Sequence, residues 1–291
     1  MTAEIIVQLI VSGLALGFIY ALVSIEYTII FNATGLLNFS HDKLIMLGAY
    51  VFAGQFVVRM GAAPAVAVIA TVATMFLFGV LVATGIFNPL RNMASPVFAV
   101  IGTVILGRIL TESARVIWGA TPFTVPGFLK GIVKVGNIVI PKANIAIILV
   151  SAIIVTALQV FFKTTKMGKA MRCVQQNKTA ATLMGINVTA NINLTIALSA
   201  VICSAIGIMV IPLFTIDLTI ANMIGLKGFA AGVIGGFGSL PGAIVGGMII
   251  GVMENIGGMI FPSTFKDVVA FVFLIIVLLV RPSGVLGKKN N

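Results

Sequence analysis

Lys163-Thr-Thr-Lys166-Met167-Gly168-Lys169-Ala170-Met171-Arg172-Cys-Val174-Gln-Gln-Asn-Lys178-Thr-Ala-Ala-Thr-Leu183-Met-Gly185-Ile186-Asn187-Val188 is a basic, largely polar interruption in a chain that is otherwise almost continuously apolar. Lys163, Lys166, Lys169, Arg172 and Lys178 have no acidic residue among them. Translocating such a short cationic loop across a membrane is costly, so it is expected on the cytoplasmic side. Met167, Met171, Val174 and Leu183 recur at near-helical spacing, with the cations on other faces. That pattern predicts a short amphipathic helix at the membrane surface. A lipid-headgroup anchor and a docking helix for another protein both fit it. A loop this long, with a helical pattern of its own, suits a transporter subunit driven by a cytosolic partner better than a self-sufficient channel.

Composition places the rest of the chain in the bilayer. Of 291 residues, 60% are hydrophobic and 9% charged, and the mean hydropathy is +1.21. A soluble core of this size needs far more charge to cover its surface. With about 20 apolar residues per crossing, the expected class is all-α, polytopic, with eight or nine transmembrane helices. We read residues 1–291 as a single transmembrane domain with no room for a soluble catalytic one. The first apolar run, Ile5–Phe31, is too long for a signal-peptide core and follows Glu4 instead of a basic segment, so it reads as a retained helix. The formal charge of +11 sits at span ends and in one loop, which argues for membrane topology and against nucleic acid. Cys173 and Cys203 support neither a disulfide framework nor a metal site and read as small buried hydrophobes.

The apolar runs are Ile5–Phe31, Phe39–Val58, Ala62–Phe87, Val97–Trp118, Asn144–Phe162, Ile192–Ile211, Leu218–Ile234, Ala243–Ile260 and Lys266–Val280. Lys163–Lys178, Arg91 and the tail with Arg281, Lys288 and Lys289 all favour the cytoplasm, which puts the N-terminus outside across nine crossings. Phe39–Val58 and Leu218–Ile234 are weak spans, expected to be broken or re-entrant. Residues 119–142 read as an ordered extracytoplasmic loop, a hairpin or short helix, and 163–188 as the cytoplasmic segment.

Glycine crowds the region from Gly225 to Gly258, often four apart, as in Gly228/Gly232/Gly236, Gly238/Gly242/Gly246 and Gly247/Gly251. Such spacing lets helix backbones approach closely. Gly235-Gly236-Phe237-Gly238 ahead of Pro241-Gly242 is expected to break a helix, leaving backbone groups that need partners in protein or a water-lined cavity. This stretch lacks the lysine and hydroxyl of a phosphate-binding loop, so no nucleotide site is expected in this chain.

Polar residues are few. Asn38 or Ser40 is placed to cap the following helix, with Asp42 in its first turn. His41, the only histidine, reads first as a structural hydrogen-bonding residue; it has no companions for a metal site. Glu26 is expected near an interface and Asp217 at a span start. Glu254, with Asn255, lies well inside its span and is the foremost pathway candidate, with Lys266 or Lys227 as possible ion-pair partners. No catalytic nucleophile–base pair is present. An ion-coupled secondary transporter or channel using Glu254, Asp217 and Glu26 is the alternative to a driven permease.

The combination of Gly13-x-x-x-Gly17-x-x-Tyr20-Ala21-Leu22, Asn38-Phe39-Ser40-His41, Leu47-Gly48-Ala49-Tyr50, Asn88-Pro89-Leu90-Arg91 and Thr165-x-Met167-Gly168-x-Ala170-x-Arg172 resembles the LivH-type permease of branched-chain amino acid ABC importers. Leu183-x-Gly185-Ile186-Asn187, Gly235-Gly236-x-Gly238-Ser239-x-Pro241-Gly242-Ala243, Lys266-Asp267-Val268-Val269 and Arg281-Pro282-Ser283-Gly284-Val285-Leu286-Gly287 are similar too. The resemblance runs nearly end to end. It implies a multi-pass permease of the bacterial inner membrane, working with a homologous second permease, two cytosolic ATPase subunits that carry ATP-Mg, and an extracytoplasmic substrate-binding protein. It also implies that Thr165, Met167, Gly168, Ala170, Arg172, Leu183, Gly185 and Ile186 belong to the segment on which the ATPase docks. Asn38, His41, Glu254 and Asn255 are the candidates for the translocation pathway; Gly232, Gly235, Gly236, Gly238, Pro241 and Gly242 are assigned to helix packing and the helix break. Asp42-Lys43 replaces the family's usual glycine-acid pair, Glu26 stands where glycine is usual, and Ser40 replaces a common alanine. The wider family also takes urea, amides and other carboxylates, so these departures bear on the solute.

Overall fold

The computed structural model describes residues 3–91, 93, 96–260, 262 and 265–287; Lys288 and Lys289 of the basic tail lie outside them. The order is α1 (Ala3–Thr34), α2 (His41–Ala49) running into a π-helical stretch (Tyr50–Arg59), α3 (Pro64–Val82), a short π-helical turn (Ala83–Phe87), α4 (Asn88–Arg91) and α5 (Pro96–Trp118). A hairpin follows, β1 (Ile132–Val135) and β2 (Ile138–Pro141), then α6 (Lys142–Thr164), α7 (Lys166–Gln176), α8 (Lys178–Leu183) and α9 (Val188–Val210). The chain closes with α10 (Asn222–Gly235), α11 (Leu240–Ile260) and α12 (Lys266–Val280). Helices dominate because hydrocarbon offers no partner for a bare backbone N–H or C=O, and a helix satisfies its own.

All nine apolar runs are helical, but among the described residues six helices are long and apolar enough to cross a membrane: Glu4–Thr34, Pro64–Arg91, Val97–Trp118, Lys142–Thr164, Val188–Val210 and Leu240–Met259. At 1.5 Å per residue, the 14 residues of α10 and the 15 of α12 reach only about 21 and 22 Å, short of a hydrocarbon core of about 30 Å. The expected span Leu218–Ile234 starts late because Asp217 does not cap it. Its Oδ1 instead accepts from the backbone N and the hydroxyl of Thr219, at 2.6 and 2.8 Å, holding a turn ahead of α10. Glu26, expected at an interface, is fully buried within α1, which runs on for eight residues beyond it.

Cα packing divides the chain into two compact units, one of Met1–Thr28, Pro126–Ile154 and Met223–Asn291, the other of Ile29–Val125 and Val155–Asn222. In the first, α11 is held by glycine on two sides. A Cβ on Gly247 would overlap the backbone of Ala21, and one on Gly251 the backbone of Gly13 and Gly17. A Cβ on Gly246 would meet the carbonyl of Ala231, and one on Gly242 that of Gly235. Thus α1 and α10 both lie at backbone contact with α11, the kind of approach that substitutes for the missing hydrophobic drive in lipid. The chain breaks between α10 and α11, where Gly236 (φ 103°) and Gly238 (φ 91°) take the left-handed region that glycine enters without penalty. The last carbonyls of α10 are not orphaned. The N–H of Val285 donates to Ile234 O at 2.8 Å, and that of Leu286 to Gly235 O at 3.0 Å. The segment between α5 and α6 carries an antiparallel hairpin pairing Ile132 with Pro141 and Val135 with Ile138 across Gly136-Asn137. Asn137 donates to Glu4 Oε1 at 2.9 Å, fastening the hairpin to the start of α1.

In the second unit α9 is the buried axis. A Cβ on Gly207 would meet the backbone of Ile45 and Ala49 in α2, and one on Gly79 the Cα of Ala197, so α2 and α3 pack against α9 at small residues. The π-helical stretch following α2 sets Gly54 against the Trp118 indole. The Tyr50 ring packs on Trp118 and Phe123, with centroids 5.7 and 5.5 Å away.

Gly251→Val places its side chain into backbone atoms that cannot swing aside. We expect a loss of about 1–3 kcal/mol, typical of overpacking, seen as a lower melting temperature in detergent and reduced yield from membranes. Gly85→Ala, where nothing lies within 4 Å, is expected to leave both unchanged.

Candidate functional site

Polar chemistry in the first unit converges on Lys227 of α10. Its Nζ lies 2.7 Å from Glu254 Oε1 on α11 and 2.6 Å from Asp267 Oδ1 on α12. The other carboxylate oxygen of Glu254 accepts the Tyr20 hydroxyl of α1 at 2.7 Å, and the ammonium lies 5.8 Å from the centre of the Tyr20 ring. Lys227 and Glu254 are buried, whereas the Asp267 side chain is 42% exposed. Four helices are therefore joined by three short polar contacts. The approach of α11 to α1 makes this possible: side chains on a helix lean toward its N-terminus, so Tyr20 reaches back along α1 toward Glu254. Of the two cations weighed as partners for Glu254, the structure selects Lys227. Asn255 takes no part; its Nδ2 donates to Gly251 O at 3.1 Å within α11. Tyr20 and Asp267 were not legible as members of this network, because Tyr20 lies 234 residues from Glu254. The available signal was a carboxylate inside an apolar span, which demands a cation.

Asn38 and His41 lie together in the second unit, at the corner between α1 and α2, and both are buried. Ser40 occupies the N-cap of α2 without a capping side-chain bond. Its backbone N and its hydroxyl instead donate to Asn38 Oδ1 at 3.0 and 2.7 Å. The N–H of Phe39 donates to Thr103 Oγ1 on α5 at 3.1 Å. Asp42 pairs with Lys43 at 3.0 Å, and Lys43 also donates to Asn222. Of the four pathway candidates, then, Asn38 and His41 share one corner, while Glu254 belongs to the Lys227 network.

The basic segment is two helices, not one. Asn177 (φ −158°) interrupts it and caps α8 by accepting from Ala180 N at 3.0 Å. Thr165 caps α7 by accepting from Gly168 N at 3.0 Å, and Asn187 caps α9 by accepting from Ala190 N at 2.9 Å. Gly168 is fixed by space, since a Cβ there would strike the carbonyl of Phe161. Gly185 (φ 81°) ends α8. Met171 and Val174 are buried as a helical face requires, together with Ala181. Met167 and Leu183 do not join them; Met167 is 52% exposed, and Leu183 and Met184 are 83% and 82% exposed. Ala170 is half-buried and Arg172 exposed. Two polar ties bind this region to its own unit. Lys178 Nζ donates to Thr34 O, at the end of α1, at 2.9 Å, and Arg91 donates to Thr189 Oγ1 at 3.3 Å. Burial, and secondarily the charge of Arg91, hold the Lys178 ammonium below the usual lysine pKa.

Lys227→Met leaves Glu254 and Asp267 facing each other without their shared cation. We expect about 3 kcal/mol of destabilisation, as for other broken buried pairs, read as a lower melting temperature. Glu254→Gln keeps an acceptor for Tyr20 and the Lys227–Asp267 pair, and is expected to cost less. Equal stability of Lys227→Met and the native chain would refute the network's structural weight.

A family model described as "Branched-chain amino acid transport system / permease component" matches residues 9–278. The chain is 33% identical to the high-affinity branched-chain amino acid transport system permease protein BraD of Pseudomonas aeruginosa, covering 97% of this chain and 96% of that one. It is 30% identical to the corresponding LivH protein of Escherichia coli K12 over the same shares of the two chains. Among solved structures it is similar to PsaBC from Streptococcus pneumoniae in complex with Fab, at TM-score 0.49 and 16% identity, over 94% of this chain and 91% of that one. With nine helical runs, six of them of full crossing length among the described residues, and a family match over residues 9–278, this chain is a multi-pass membrane permease belonging to the branched-chain amino acid transport permease family.

Proposed function

We propose that this chain is the permease subunit of an ABC importer for branched-chain amino acids, opened and closed by ATPase subunits that dock on α7 and α8 from the cytoplasm. The full assembly in this reading contains a homologous second permease, two ATPases carrying ATP-Mg, and an extracytoplasmic binding protein; this chain itself needs no cofactor. The carrying observation is the family match over residues 9–278, together with the relatives' printed role in high-affinity branched-chain amino acid transport.

The geometry of α7 and α8 supports the docking role. Three side-chain caps and the buried Met171, Val174 and Ala181 make the pair a preformed surface, while Met167, Leu183 and Met184 stand bare beside exposed cations. Exposed apolar side chains on a segment this polar suit a protein partner. The Lys178–Thr34 bond gives the segment a direct hold on the end of α1, so a displacement of α8 is passed to a transmembrane helix. In this reading Asn38 and His41 set the corner next to that helix end, and Glu254 holds the helices of the other unit.

The test is reconstitution. Vesicles holding the four membrane and ATPase subunits, with binding protein and ATP supplied, are expected to accumulate leucine, and vesicles holding this chain alone are not. Accumulation against a gradient by the isolated chain would overturn the reading in favour of an ion-coupled transporter. Gly168→Pro, which removes the N–H bonded to Thr165, and Arg172→Glu are expected to abolish ATP-driven uptake while the protein remains in the membrane. Native uptake rates in both would refute α7–α8 as the coupling segment.

A further inference from the structure

The α5 helix carries a charged face that no part of the mechanism above uses. Arg108, Glu112, Ser113 and Arg115 are all exposed on it, although Val97–Trp118 is one of the six segments apolar enough to cross a membrane. Glu112 is taken by Arg115, one turn on, at 2.8 Å. Arg108 has no ion-pair or hydrogen-bond partner among the described residues. It stands 11 residues from Val97 and 10 from Trp118, about 16 Å from either end of the segment at 1.5 Å per residue. An arginine stem is too short to carry its head group from there to the headgroup region. An intramembrane guanidinium left facing acyl chains is costly, and such groups face protein or a water-filled pathway.

The surroundings of Arg108 narrow what it meets. With Ile109, Glu112, Ser113, Val116 and Ile117 it forms a shallow, open face made by α5 alone. The charge of Glu112 is already spent on Arg115 and the Arg59 guanidinium donates to Ile117 O, so among the described residues Arg108 is the guanidinium on this face without a partner. The rest of the lining is mainly branched and apolar, with Ile109 beside the guanidinium and Val116 and Ile117 toward the Trp118 end. One free guanidinium next to branched aliphatic side chains is complementary to a small solute with a carboxylate and an apolar body. A guanidinium suits a carboxylate because its planar fork can donate two parallel hydrogen bonds.

We propose that this face of α5 lines the translocation pathway and that Arg108 receives the carboxylate of the transported solute as it crosses. This rests on the reading of the chain as a permease for a carboxylate-bearing solute, and it assigns the recognition of that carboxylate to one residue.

The experiment uses the complete transporter in vesicles, with labelled leucine as the probe. Leucine uptake by the native assembly tests the function; the variants test Arg108. Arg108→Gln is expected to assemble with the second permease chain yet to lower initial uptake about tenfold or more, the scale of a lost hydrogen bond to a charged group. Arg108→Lys, which keeps the charge and loses the fork, is expected to fall between the two. In a chain carrying Cys173→Ser, Arg108→Cys is expected to react with a hydrophilic, membrane-impermeant thiol reagent and to be slowed by leucine. Uptake by Arg108→Gln within twofold of native would overturn the proposal. Failure of that variant to assemble would also overturn it, by placing the guanidinium at a subunit contact, as would an Arg108→Cys thiol closed to the reagent.

Discussion

The first unit depends on α11 meeting α1 and α10 at backbone distance. In water two helices gain by burying apolar side chains against each other; in lipid that gain vanishes, because the alternative neighbour is equally apolar. What remains is close contact, and it is strongest where no side chain intervenes. Gly247 and Gly251 open one side of α11 to Ala21, Gly17 and Gly13, while Gly242 and Gly246 open another to Gly235 and Ala231. Because α1 runs opposite to α11, with Gly13 near Val252 and Ala21 near Gly247, the contact extends over more than two turns. Even one added methyl would therefore be felt across that length, and not at a single point.

The buried polar network follows from the same approach. Tyr20 and Glu254 stand toward opposite ends of the antiparallel contact, and each side chain leans toward the N-terminus of its own helix, so hydroxyl and carboxylate meet alongside the close approach of Gly17 and Gly251. Bringing Lys227 between two carboxylates then fixes α10 and α12 to the pair already formed. The short helices α10 and α12 do not have the length of a full span, and each contributes one charged residue to this cluster. A helix too short to cross gains little from lipid alone, so specific polar contacts with its neighbours weigh more in its placement. Desolvating those charges is costly, so the shared ammonium, which two carboxylates face, carries more of the arrangement than either carboxylate.

The fold was legible to the extent that it is written in runs of hydrophobicity. All nine runs became helix, the glycine-rich turn interrupted the chain between α10 and α11, and the alternating residues before Pro141 formed a hairpin. What periodicity could not reach was anything set by remote partners. That Val285 and Leu286 cover the exposed carbonyls of α10, or that Tyr20 completes the site of Glu254, depends on chain segments tens to hundreds of residues away. Local competition misled the reading in two further places. Asp217 was expected to cap a helix but is satisfied by Thr219, and Met167 and Leu183 fit the near-helical spacing of a single amphipathic helix that Asn177 in fact divides. Arg108 shares its apolar run with Glu112 and Arg115, and only in three dimensions does the pairing of those two leave it without a partner.

The division at Asn177 has a mechanical consequence for the segment proposed to dock the ATPase. A single straight helix would carry Leu183 and Lys178 on the same rigid rod as Met171 and Val174, and a push at one end would simply rock it. With α7 and α8 capped separately, the buried residues of α7 anchor one piece against its unit while α8 carries Lys178 to the carbonyl of Thr34. The exposed pair Leu183-Met184 sits at the end of α8, beside Gly185, whose left-handed conformation turns the chain into α9. A load applied at that tip therefore has two outlets, one through Lys178 to α1 and one through the Asn187 cap to α9, the axis on which α2 and α3 pack. Because α9 meets those helices at backbone distance at Gly207 and Gly79, a shift of α9 at those two points has no side chain to take it up and is expected to move α2 and α3 with it.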